Sequence, residues 1–197
     1  MELDPENINI TEEEKRQIAE HECAHAIAYE VYAQGVEWVS IEPNEKGPGR
    51  CKPSPVYGPM VDDFDLLVCK LAGPASNVVH HDDEEWRLEA RRTIEGDLEE
   101  VFQTDFTEAH DRSEDAEQIE KAWKVSKAFV RDWKEVIEHL ADLLMENAAD
   151  PDEAPILKGY EILILVYKPS KRDLEVPNLD EYTPDVQVKS QGDSPLE

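Results

Sequence analysis

The chain has 197 residues, of which 47 are Asp or Glu and 20 are Lys or Arg, so its formal net charge at pH 7 is −27. Such a surface repels nucleic-acid phosphates and anionic lipid headgroups, so neither nucleic acid nor a membrane is an expected partner. Because 40% of the residues are apolar and four are Trp, the chain can still close the hydrophobic core of one domain.

The three cysteines, Cys23, Cys51 and Cys69, are odd in number and lack C-x-x-C spacing. This pattern argues against a disulfide framework and predicts a reducing, cytoplasmic location. The first ten residues contain no apolar segment of the kind found in signal peptides, and the longest strongly apolar run is Ile162 to Tyr167. We therefore expect neither an export signal nor a membrane span.

The first predicted element is a helix over about residues 11–34. Thr11 and Glu14 have the spacing of a capping box, in which each side chain binds an otherwise unpaired backbone amide at a helix start. Neither Gly nor Pro follows until Gly35, which suits the C′ position after a helix, where positive φ is favoured.

A small sheet is expected next. Residues 36–41 are rich in Val, Trp and Ile and predict a strand, which the Gly47-Pro48-Gly49 cluster ends in a turn. Cys51 can open a second strand. Pro53, Pro55 and Pro59 restrict that second segment to a sheet edge or a loop, because proline has no backbone donor.

The rest of the chain predicts helices. Apolar residues at three- and four-residue spacing begin after Asp63, and a further helix over residues 94–109 carries Asp97 near its start. The strongest amphipathic pattern predicts one long core helix over about residues 114–148. Residues 156–166 fit either a helix or a strand, since a short apolar run does not separate the two.

These elements predict a mainly α fold with a small β-hairpin or a two- to three-stranded sheet. One domain is expected over residues 1–167. Residues 168–197 are rich in Pro, Asp, Ser and Gln, and they are expected to form a loosely ordered or disordered tail, because few apolar residues offset the entropy of ordering.

The most specific motif is His21-Glu22-Cys23-Ala24-His25, an H-E-x-x-H pattern inside the first predicted helix. Residues four apart lie on one helix face, so His21 and His25 can bind one metal ion, and Glu22 can act as general base toward a water on it. Cys23 faces away from that side and is expected in the core.

A catalytic zinc site needs a third protein ligand and one open position. No H-x-x-G-x-x-H continuation follows His25, so the motif does not identify the third ligand. The local candidates are Asp97, His110 and either His80 or His81, which point in different directions on a helix.

The chain resembles the peptidase domain of FtsH-type zinc proteases. The resemblance lies in five segments that occur in the same order over about residues 10–165: Glu12-Glu13-Glu14-Lys15-Arg16, His21-Glu22-Cys23-Ala24-His25-Ala26, Val39-Ser40-Ile41-Glu42-Pro43, Leu71-Ala72-Gly73-Pro74-Ala75 and Gly96-Asp97-Leu98-Glu99. It implies a zincin-like helical peptidase fold.

The resemblance also implies a site and an activity. It assigns Zn²⁺ to His21, His25 and Asp97, and it makes Glu22 the catalytic base. FtsH-type proteases carry a membrane anchor and an ATPase, but this sequence contains no G-x-x-x-x-G-K-[ST] motif. We therefore expect a standalone, ATP-independent endopeptidase that acts on peptides or flexible protein segments.

Two other functions are compatible with the sequence. Pro53 and Pro55 interrupt the strand on which a peptide would add to the sheet, so a zinc-binding regulatory or binding module without turnover is one alternative. A purely structural acidic helical protein is the other. The sequence indicates neither the oligomeric state nor the cleavage specificity.

Overall fold

The computed structural model describes residues 10–32, 35–43, 48–55, 61–95, 104–113, 115–149 and 156–167. Over these ranges the chain is mainly helical with a three-stranded antiparallel sheet, which confirms the predicted fold class. The elements in chain order are α1 (Glu12–Val31), β1 (Val36–Ser40), β2 (Arg50–Pro53), α2 (Asp63–His81), α3 (Glu84–Glu95), α4 (Thr104–Arg112), α5 (Ala116–Asp132), α6 (Lys134–Ala149), β3 (Ile156–Lys158) and α7 (Gly159–Tyr167).

Helix α1 begins with the predicted capping box. The Glu14 amide donates to Thr11 Oγ1 at 3.2 Å, and the Thr11 amide donates to Glu14 Oε2 at 2.7 Å. The helix ends at Val31 with Tyr32 as C-cap. Gly35 has the expected positive φ, 67°, but it lies three residues beyond the C-cap rather than directly after it, and its amide donates to the Tyr29 carbonyl.

The sheet has the strand order β2-β1-β3, so β2 is an edge strand, as its prolines predict. Val39 pairs with Cys51 on one side and with Leu157 on the other. These three side chains share one face of the sheet, because paired residues of antiparallel strands point the same way. Val39 and Leu157 belong to the hydrophobic core, and Cys51 packs against it.

Helices α1 and α2 form the centre of the molecule. Helix α2 packs against α5, α4 and α3, while α1 packs against α6 and the sheet. Helix α2 continues through Pro74, which lies inside it. The largest fully buried apolar side chains are Trp133, Phe106, Phe129, Ile27, Leu67, Leu71, Ile119, Ile137, Leu140, Leu144 and Ile162.

The long helix predicted over residues 114–148 is divided into α5 and α6 at Trp133. Trp133 has φ −97° and ψ 10°, and its fully buried indole stacks on Phe129 at a centroid distance of 5.7 Å. The break allows α5 to pack on α2 and α6 to pack on α1. A straight helix of that length, roughly 50 Å, cannot follow both partners around one core.

The ambiguous run over residues 156–166 contains both elements, the short strand β3 and helix α7. The predicted tail, residues 168–197, lies outside the described residues, as does Asp97. Among the helices of the described ranges, none combines the length and apolar character that crossing a membrane requires.

Candidate metal centre

Helix α1 presents the two histidines of the H-E-x-x-H motif on one buried face. His21 is 9% exposed and His25 is 5% exposed. Their Nε2 atoms are 3.2 Å apart, as expected for residues four positions apart on a helix. The two imidazoles therefore converge on one point.

Asp105, in the first turn of α4, completes the group. Its Oδ2 lies 3.0 Å from His21 Nε2 and 3.4 Å from His25 Nε2. Two imidazole nitrogens and one carboxylate oxygen form a donor set typical of catalytic zinc sites. His21, His25 and Asp105 can therefore hold a metal ion, with ligand atoms that all lie within 4.8 Å of one another.

A backbone contact orients His25 for this role. Its Nδ1 lies 2.7 Å from the Cys69 carbonyl oxygen of α2. Because a carbonyl only accepts hydrogen bonds, Nδ1 carries a proton in this contact, so Nε2 is the ring nitrogen that can offer a lone pair to an ion. Such a partner on the second ring nitrogen is the usual support of a metal-binding histidine.

Gly73 of α2 lies directly against the two histidines. A Cβ atom at this position would lie 2.3 Å from His25 Nε2 and 2.6 Å from His21 Nε2. Any larger residue would occupy the space between the donor atoms. The close approach of a glycine therefore leaves room for an ion in front of His21 and His25.

Charge favours an ionised Asp105. Burial by itself raises the pKa of this carboxyl, but the charge of His25 and the hydrogen bonds from His21 and His25 outweigh it. Together they hold the pKa of Asp105 well below its usual range. The group is therefore an anion at neutral pH, which suits a ligand for a divalent cation.

Glu22, between the two histidines in sequence, faces a different part of the site. Burial raises its pKa to about 7, against opposing contributions from His21, from Lys70 and from a backbone hydrogen bond with Cys51. Gly49 approaches it closely, since a Cβ there would lie 2.9 Å from Glu22 Cγ. A carboxyl with such a pKa can take up and return a proton near neutral pH.

The site opens into a cavity of about 570 Å³. Helix α1, the β2 region, α2, α3 and α4 all contribute to its walls. Trp86 of α3 lines it and packs against the His21 ring at a centroid distance of 5.1 Å. On another side, Lys70 pairs with Glu108, which lies one turn after Asp105 on α4. A cavity of this size can admit a short peptide segment.

The other candidates for the third ligand lie elsewhere. Asp97 is outside the described residues. His80 and His81 both contact the carboxylate of Glu20, with His80 Nδ1 at 3.2 Å and His81 Nε2 at 2.8 Å from its Oε2. His110 lies on α4 five residues after Asp105, outside the group of converging donors.

Asp105 was not among the ligands predicted from the sequence. In the structure it lies at the start of α4, which begins at Thr104, while residues 96–103 of the predicted helix lie outside the described residues. Phe106 and Ala109, both buried, have the three-residue spacing of one helical face.

The cysteines are not part of the metal group. Cys23 and Cys69 are fully buried in the core, as the sequence predicts for Cys23. Burial raises the pKa of each of the three thiols, including that of Cys51 in the cavity wall. Neutral thiols are poor nucleophiles and poor metal ligands, so none is a candidate for catalysis.

When the chain is compared with known proteins, no family model matches it. No curated protein matches it significantly either. The proposal of a function therefore rests on the residues of the metal centre and its cavity.

Proposed function

We propose that the protein is a zinc-dependent peptidase that hydrolyses peptide bonds without ATP. The observation that carries this proposal is the convergence of His21, His25 and Asp105 beside Glu22 in an open cavity. The resemblance of the sequence to FtsH-type peptidase domains supports it. In this proposal Asp105 takes the ligand role that the resemblance assigned to Asp97.

The side chains have separate tasks. His21, His25 and Asp105 hold the ion, and Gly73 keeps the space in front of the imidazoles free. When bound, zinc lowers the pKa of water and polarises a substrate carbonyl. The Glu22 carboxylate would accept a proton from the attacking water and give it to the amine that leaves when the peptide bond breaks. The Cys69 carbonyl fixes the orientation of His25.

A second candidate function is a zinc-binding module without turnover. It is favoured by the hydrogen bond between the Cys51 backbone and the carboxyl of Glu22. A general base held in this way is less free to reach a substrate. The module and the peptidase share the metal site and differ only in cleavage.

The test combines metal analysis with a peptide library. The purified full chain is loaded with zinc, and a library of internally quenched peptides is incubated with it, with and without chelator and without nucleotide. Glu22→Gln removes the proposed base, and Glu13→Gln changes an exposed carboxylate of the same helix as the matched control.

We expect stoichiometric zinc and chelator-sensitive cleavage that Glu22→Gln abolishes and Glu13→Gln preserves. Bound zinc with no cleavage of any peptide would favour the module. A chain that neither contains zinc nor melts at a higher temperature on zinc addition would exclude both functions.

A further inference from the structure

Asn77 of α2 carries a polar atom that the fold leaves without a partner. The residue is 8% exposed, and its side-chain Oδ1 has no hydrogen-bond partner among the described residues. Buried amide oxygens are nearly always hydrogen-bonded, because leaving one unpaired is unfavourable. An orphan of this kind indicates a donor that the described residues do not supply.

The position of Asn77 indicates where that donor comes from. Lys70, Gly73 and Asn77 lie three and four residues apart on α2, so they share one helix face. Gly73 contacts both histidines, and Lys70 and Asn77 line the cavity on either side of it. Asn77 therefore lies one helical turn from Gly73 in the cavity wall, and rotation of its side-chain amide would bring the covered Oδ1 to a ligand in the cavity.

The strand edge beside the cavity is poorly equipped to bind a peptide backbone. The Cys51 backbone forms a hydrogen bond with Glu22 of α1, whereas the Ser54 amide donates to the Gly35 carbonyl at 2.9 Å. Since alternate residues of a strand direct their amides to opposite sides, Cys51 and Pro53 face away from β1. One of these outward positions is occupied by Glu22, and the other has no amide hydrogen.

We propose that Asn77 binds the backbone of the peptide substrate, its Oδ1 accepting a hydrogen bond from a substrate amide N–H. This inference rests on the proposed peptidase function and adds a specificity-determining residue to it. Substrate is held by a side chain of α2 rather than as an added strand on β2. The preferred substrates are therefore short peptides that fit the cavity.

Two hydroxamates test this, because binding can be measured without turnover. Acetohydroxamate contacts only the metal, whereas N-acetyl-leucyl-glycine hydroxamate adds two backbone amides. Their affinities for the zinc-loaded full chain are measured by calorimetry for wild type, Asn77→Leu and Asn77→Ala. Gln118→Leu makes the same amide-to-alkyl change on α5, at a residue that does not line the cavity, and is the matched control.

We expect Asn77→Leu and Asn77→Ala to weaken the peptidyl hydroxamate by roughly tenfold, the effect of leaving a buried donor unpaired. Affinity for zinc and for acetohydroxamate stays within about twofold of wild type, and Gln118→Leu behaves as wild type. Methylation of both backbone amides of the ligand removes the difference between wild type and Asn77→Leu. Asn77→Leu also melts no lower than wild type, since it removes an unpaired polar atom.

Unchanged affinity of Asn77→Leu and Asn77→Ala for the peptidyl hydroxamate would overturn the inference while leaving the metal site intact. Weaker binding of zinc or acetohydroxamate in these variants would also overturn it, because Asn77 would then act on the ligands. If wild type binds neither zinc nor acetohydroxamate, the proposed function itself fails.

Discussion

Gly73 lies so close to His25 that a methyl group on its α-carbon would come within 2.3 Å of the His25 Nε2 atom. The contact joins the two central helices of the fold, α1 and α2. His25 has little freedom to move away, because its Nδ1 is bound to the Cys69 carbonyl of the same helix α2. A single glycine thus determines whether the two imidazoles can share an ion.

Gly73→Ala is expected to weaken zinc binding at least about a hundredfold while the helical circular dichroism stays unchanged. Alanine favours a helix by about 1 kcal/mol over glycine, so α2 itself is not destabilised, and the added methyl group occupies the space between the donor atoms where the ion would bind. Calorimetric zinc titration measures the effect. Val78→Ala, on the same helix, is the control, and equal zinc affinity in Gly73→Ala would disprove the assigned role.

Gly49→Ala is expected to separate metal binding from catalysis. A Cβ at Gly49 would lie 2.7 Å from Ile18 Cγ2 and 2.9 Å from Glu22 Cγ, so the general base is displaced while the metal ligands are untouched. Zinc affinity should stay near that of wild type, and cleavage of the best library peptide should fall at least about tenfold. Loss of zinc binding in this variant would contradict the geometry.

Asp105→Asn is expected to lower zinc affinity by at least about a hundredfold, because it removes the anionic ligand but preserves size. Glu108→Gln, one turn further along α4, should bind zinc as wild type does. Asp97→Asn is measured beside them by the same titration. If Asp97→Asn loses zinc and Asp105→Asn does not, Asp97 is the third ligand and our assignment is wrong.

The fluorescence of Trp86 can be used to detect an ion at the metal site. Its ring lies 5.1 Å from that of His21, so a Cu²⁺ ion at the metal group should quench its fluorescence by electron transfer. We expect saturable quenching at one equivalent in wild type. Trp86→Phe and His21→Ala should each lose it, while Trp38→Phe, on the sheet, should keep it. Undiminished quenching in Trp86→Phe would place the bound ion elsewhere.

The lowered pKa of Glu20 predicts how the stability of the fold changes at acidic pH. Burial alone raises its pKa, but hydrogen bonds from His80 and Arg16 and the charges of His81 and His80 lower it to about 2. A carboxyl whose folded pKa lies below its unfolded value, near 4.5, stabilises the fold above that value, and the contribution disappears as pH falls toward 2.

Urea unfolding at several pH values measures this contribution as the stability difference between wild type and Glu20→Gln. We expect that difference to be largest at pH 5 and above and to shrink steadily from about pH 4.5 downward. Glu13→Gln, which is exposed, should show no such trend. A difference between wild type and Glu20→Gln that grows in acid would contradict the assigned ion pairs.

The sequence alone determined the local features of this protein. The capping box of Thr11 and Glu14, the shared face of His21 and His25, and the edge position of β2 all follow from spacing over a few residues. Helical periodicity and the missing amide of proline act within one element, so no knowledge of distant contacts is needed.

The tertiary structure decided the features that join separate elements. Asp105 meets His21 across 84 residues of sequence. The break at Trp133 arises because α5 and α6 pack on different helices. The closeness of Gly73 and Gly49 to the site, and the unpaired Oδ1 of Asn77, depend on how α1, α2 and the β2 region pack together. These distances depend on how the elements pack against one another, and they cannot be derived from residue spacing along the chain.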